Sequence, residues 1–120
     1  MTQPDITPIG QKTLTNKPDL SHIPLDLMEY VVRAFEYGMT KADPHPRDNW
    51  RLGFSTNQTL AAALRHIGEF KDHGYSWDSE ALEHRQQVHH LAMAIFNLFA
   101  ALNTCVYHPE MVDRPEWHKQ

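Results

Sequence analysis

Apolar positions recur at steps of three and four residues along most of this chain, and no stretch alternates apolar with polar. Leu25, Met28, Val32, Phe35 and Met39 form the first series, and Pro24 suits an opening helical turn. A first helix is therefore expected over about 24–40. Ala42–Gly53 holds Pro44, Pro46 and Asn49 and reads as a loop, long enough to carry function. Leu60, Ala63, Leu64, Ile67 and Phe70 predict a second helix, capped by Ser55 or Thr56 and ended by Gly74. Ala62, His66, Glu69 and His73 are expected on its other face. After a turn at Tyr75–Ser79, with Asp78 or Ser79 as cap, Val88, Leu91, Ala92, Ile95, Phe99, Leu102 and Val106 predict the longest helix, over roughly 79–106. The fold expected is all-α, a small helical bundle of three main helices. Phe96 and Leu98 fall off the main stripe of the third helix, and a helix apolar on more than one side calls for a second partner. Completion by oligomerisation, as a homodimer or homotetramer, is therefore expected.

The punctuation divides the chain into a flexible N-terminal arm (1–16, with Pro4, Pro8 and Gly10), a domain (17–107) and a polar C-terminal tail (108–120). At 120 residues this is one domain. A net charge of −4 argues against binding duplex nucleic acid, which needs a basic face. It leaves room for a small anionic ligand held by local cations and a metal. No apolar run approaches the ~20 residues that span a bilayer, and Met1–Pro18 has no signal-peptide core, so no membrane role is expected. Cys105 is the single cysteine, which rules out an internal disulfide and suits a reducing cytoplasm. Its apolar helical neighbours suggest burial.

The candidate chemistry lies on polar stripes and in one loop. Glu29 and Glu36 lie beside the apolar face of the first helix, where carboxylates can hold Mg²⁺ together with substrate phosphates. The same pattern suits a solvated acidic face with a Glu29–Arg33 pair. His66 and Glu69, three residues apart, can share a metal on the second helix, with Arg65 adjacent. Glu83, His90 and Asn97 recur every seven residues beside Ala94 and Ala101, either a ligand wall or a polar seam between subunits. In the loop stand the cations Lys41, Arg47 and Arg51, with Asn49 to read a purine edge and Trp50 to stack on a base. Trp50 equally suits a plug for the bundle. Walker, nucleophile-elbow and Rossmann patterns are absent from the sequence, and one cysteine excludes a cysteine-type zinc site.

Five ordered pieces carry a resemblance: KPDLSHIP, EYGMTKA…DNWR, AALRH, a G-x-x-x-D-S-E turn, and HHLAMAIFN. Together they resemble the small phage dATP/dGTP diphosphohydrolase family, related in character to the all-α MazG-type nucleoside triphosphate pyrophosphatases. The resemblance runs from about Lys17 to Leu102. It implies hydrolysis of purine deoxynucleoside triphosphates to the monophosphate and pyrophosphate, in phage nucleotide-pool metabolism and hence in a host cytoplasm. It implies a metal-dependent enzyme using Mg²⁺ or Mn²⁺. Site residues expected on this basis and from the stripes are His66, Glu69 and His90 in catalysis. Lys41, Asn49, Trp50, Arg51, Arg65, Asp78 and Asn97 are expected on the substrate, and Glu29, Glu36 and Glu69 on metal. Glu80 also matches a recurrent family position. His90-Leu91-Ala92-Met93 lacks the second histidine common in the family, and the acidic signature of MazG-type enzymes is incomplete. Those departures leave two alternatives, a non-catalytic nucleotide-binding or sequestering protein on the same scaffold, and a purely structural bundle.

Overall fold

The computed structural model describes Gly10, 16–40 and 47–114. Four α-helices carry the fold: α1 (Leu25–Met39), α2 (Thr56–Lys71), α3 (Ser79–Glu83) and α4 (His90–Tyr107). Three are long, as the periodicity predicts, and no strand forms among the described residues beyond an isolated antiparallel bridge, Trp77 to His89.

Pro24 stands at the N-cap of α1 rather than inside its first turn. Ser55 caps α2, its hydroxyl oxygen accepting from the Gln58 N–H at 3.3 Å. The same hydroxyl donates to Asp113, whose carboxylate also accepts the Asn57 N–H at 3.2 Å. A residue near the end of the chain thus helps satisfy the open amides at the start of α2. Gly74 leaves α2 with φ 72° and its N–H on the Phe70 carbonyl at 3.1 Å, the left-handed exit that glycine permits.

The expected continuous third helix is two helices. Arg85 takes φ 60°, and the N–H groups of His84 and Gln86 both return to the Ala81 carbonyl. The chain then folds back, so that Asp78 N–H meets Val88 O and His90 N–H meets Ser76 O, each at 2.8 Å. These bonds satisfy amides that a continuous helix would have used otherwise. The seven-residue ladder Glu83–His90–Asn97 is broken with it, because Glu83 lies on α3 and His90 opens α4.

α4 packs most extensively along α2 and less along α1. Val31, Ala34 and Tyr37 of α1 join Ala81, Val88, Ala92 and Met93 in the core, with Met28, Phe35 and Phe96 packed against it. The buried face of α2 is Thr56, Thr59, Ala63 and His66, whereas Leu60 and Leu64 are exposed. The helix is thus rotated from the expected orientation, with Ala63 inward as expected and Leu60 and Leu64 turned outward. Small residues let α2 approach α4, whose own buried positions include Ala94, Ala100, Ala101 and Thr104. The larger side chains Ile95, Phe99, Leu102 and Val106 stay exposed in the single chain, and so does Cys105, against expectation. By length and mean hydropathy (1.4) α4 could cross a membrane, but half of it is buried within the domain, as befits a core helix.

Candidate active site

The bridge between Trp77 and His89 does more than close a loop. Residue pairs across such a bridge share a side, so the pairing that fixes Asp78 and Val88 also sets His90 near Asp78. His66 reaches the same place from the middle of α2. The outcome is a buried cluster in which one ligand-capable atom each of His66, Asp78 and His90 lie within 4.8 Å of one another. The two imidazoles meet Nδ1 to Nδ1 at 2.8 Å, so one holds a proton and the other accepts it. His90 Nδ1 lies 3.9 Å from Asp78 Oδ1. The other oxygen, Oδ2, accepts the Ala81 N–H at 3.0 Å and caps α3. Asp78 therefore has one oxygen committed to the fold and one facing the histidines.

This cluster forms part of the wall of a cavity of about 700 Å³, whose lining also includes Arg65, Glu69, Tyr75, Trp77, Ser79, Glu80 and Tyr37. The size is within the range of small-molecule sites. Tyr37 is buried, and its hydroxyl faces carboxylates. Burial first, then the charges of Glu80, Asp78 and Glu83 and a hydrogen bond to Glu80, push its ionisation up to about 12. His89 caps α4, its Nδ1 accepting the Leu91 N–H at 3.0 Å. Burial and, less strongly, neighbouring His90 hold His89 below the usual imidazole range, which keeps that acceptor unprotonated.

Of the residues singled out from sequence, His66, Glu69, His90, Arg65, Asp78 and Glu80 line this one cavity. Others are placed elsewhere. Glu29 and Glu36 are exposed on α1, in shallow surface grooves beside Arg33. Asn97 donates its amide to the Met93 carbonyl at 2.9 Å, back along its own helix. Asn49, Trp50 and Arg51 occupy a short 3₁₀ helix, Asn49–Leu52. There the Trp50 ring meets Phe35 edge-on at 5.3 Å, and the Arg51 guanidinium lies 4.6 Å over the indole. The Asn103 amide donates to the carbonyls of Trp50 and Arg51, tying the turn to α4 about 20 Å along its axis from His90. Lys41 lies outside the described residues.

Tyr37, Tyr75, Trp77 and Ser79 are cavity residues that the sequence reading passed over. Tyr37 falls on the core side of α1, where an aromatic reads as packing. Tyr75 and Trp77 fall in a stretch too short for an alternating pattern to mark the bridge.

The arrangement can bind a divalent cation through two imidazoles and a carboxylate and meet an anion with Arg65. No curated protein and no solved structure matches this chain. The family model described as dATP/dGTP diphosphohydrolase, N-terminal, matches residues 8–114. A match over nearly the whole chain means that the chain belongs to the dATP/dGTP diphosphohydrolase N-terminal family.

Proposed function

We propose that this protein hydrolyses purine deoxynucleoside triphosphates, dGTP and dATP, to the monophosphate and pyrophosphate in a metal-dependent reaction. The observation that carries this reading is the convergence of His66, Asp78 and His90 on the cavity that also holds Arg65 and Glu69, in a chain of this family. His66, Asp78 and His90 would hold the divalent ion. Their donor set suits Mn²⁺ better than Mg²⁺, which prefers oxygen ligands throughout. When bound, such an ion supplies Lewis acidity toward phosphoryl oxygens and toward water.

The protein's own groups do the rest. Arg65 meets the phosphate charge and offsets what builds up on the transferred group. Glu69 and Glu80 flank the cavity as carboxylates able to take a proton from the attacking water. Attack at the α-phosphorus breaks its bond to the bridging oxygen, and pyrophosphate leaves. Chromatography of dGTP and dATP incubated with the protein and Mn²⁺ or Mg²⁺ tests this. Monophosphate and pyrophosphate are expected in equal amounts, and folded protein that releases neither from any nucleotide would sink the reading.

The exposed apolar side of α2 and α4, with Leu60, Leu64, Leu98 and Leu102, supports assembly of copies into a homodimer or homotetramer. Light scattering on the purified protein reads this directly, and a monomer at micromolar concentration would contradict it. The lone cysteine fits a cytoplasmic setting.

A further inference from the structure

We infer that the flat base of the nucleotide stacks on Tyr75 and Trp77, which form an aromatic subsite in the wall of the cavity. This rests on the nucleotide reading above. Three aromatic rings line the cavity, and they differ in what they offer. Tyr37 is 1% exposed and its ring belongs to the core. Tyr75 and Trp77 are 58% and 36% exposed, so ring surface remains open to a ligand.

Their backbone is nevertheless fixed. The Tyr75 N–H is held by the Glu69 carbonyl at 3.1 Å, and Trp77 is paired with His89. Each ring is also braced by one imidazole. His73 lies nearly parallel to Tyr75 (20°, centroids 5.9 Å apart), and His89 meets Trp77 at 72° and 5.4 Å. Preorganised aromatic surface of this kind costs little ordering when a base arrives. Tyr75 and Trp77 are two residues apart on an extended segment, so their side chains leave the same edge roughly 6.6 Å apart. That is about twice the 3.4 Å spacing of stacked bases, room for one base between or across the rings. Trp50, the indole that sequence alone favours, is covered by Phe35 and Arg51 and tied to the far end of α4.

Indole fluorescence tests the inference without turnover. Trp50→Phe combined with Trp117→Phe leaves Trp77 as the single indole in an otherwise native site. Titration of this protein with dGTP and dATP, without divalent ion, is expected to quench the emission. Inorganic tripolyphosphate, which carries the phosphates and no base, is expected to leave it unchanged. In steady-state assays Trp77→Leu is expected to raise KM for dGTP about tenfold, in line with base–aromatic stacking elsewhere. Tyr75→Ala, at an exposed ring, should raise KM in the same direction and gives the reading if Trp77→Leu folds poorly. Wild-type release of pyrophosphate from dGTP, with no quenching of Trp77 and unchanged KM in both variants, would overturn the stacking site alone. Wild-type protein that neither hydrolyses nor is quenched by any nucleotide would overturn this inference together with the function it rests on.

Discussion

Asp78 performs two tasks that substitution separates. Its Oδ2 caps α3 through the Ala81 N–H, and its Oδ1 faces His90 3.9 Å away. Asp78→Asn keeps an acceptor oxygen for the cap and removes the charge. Asp78→Ala removes both. Loss of an N-cap costs about 1 kcal/mol, which in a domain of this size lowers Tm by about 3–6 °C. The cost to metal binding has a different origin. His66 and His90 bind metal as neutral imidazoles, so Asp78 is the single anion of the cluster. Removing even an outer-shell partner weakens metal binding by about 10–100-fold, and loss of a direct anionic ligand should reach at least the upper end. Metal-free Asp78→Asn should therefore melt within about 1 °C of wild type by scanning calorimetry, since its cap survives. By titration calorimetry it should bind Mn²⁺ at least about 100-fold more weakly. Asp78→Ala should show both losses. Mn²⁺ affinity in Asp78→Asn equal to wild type would refute the assignment of Asp78 as a ligand. Asp78→Asn melting as low as Asp78→Ala would refute the separation of its two oxygens.

Three further outcomes follow from the geometry. Gly53 has φ 95°, and an added Cβ would lie 2.7 Å from the Met111 sulfur; the flexible thioether can move, but the backbone strain remains, so Gly53→Ala should destabilise by about 1–3 kcal/mol in urea unfolding. Tyr37 should be the last tyrosine to ionise in an absorbance titration near 295 nm, close to pH 12, and Tyr37→Phe should abolish that phase. Because its ionisation is raised above the unfolded value near 10, the stability it contributes is present below about pH 10 and lost as pH rises toward 12. His89 is shifted the other way, so its contribution is present above its unfolded value of about 6.5 and lost as pH falls; urea midpoints should drop less between pH 7.5 and 5.5 in His89→Asn, which keeps a capping acceptor, than in wild type.

The three long helices were legible because three stretches carry a helical apolar period with recognisable caps. Which face of α2 turns inward was not, although Met28, Phe35, Val88 and Ala92 do join or line the core as their stripes predict. Leu60 and Leu64 read as core along with Ala63, yet only Ala63 of the three is buried, beside Thr56 and Thr59, since close approach of α2 to α4 favours small side chains over large ones. The break in the last helix was also hidden. Nothing in Glu83–Val88 forbids helix, and the left-handed Arg85 is stabilised by bonds to Ala81 and by the distant pairing of Trp77 with His89. That same pairing assembles the site, which explains why His66, Asp78 and His90 could each be named from sequence while their meeting could not. Glu29 and Glu36 shared an attractive spacing, but a spacing along one helix does not say which cavity it faces.

Anomalous diffraction at the manganese edge, on crystals grown with Mn²⁺ and a non-hydrolysable dGTP analogue, locates both the metal and the phosphates. A manganese peak bounded by His66, Asp78 and His90 is expected, with the analogue's phosphates beside Arg65. A peak on Glu29 and Glu36, or phosphates bound away from the His66–Asp78–His90 cavity, would contradict that placement.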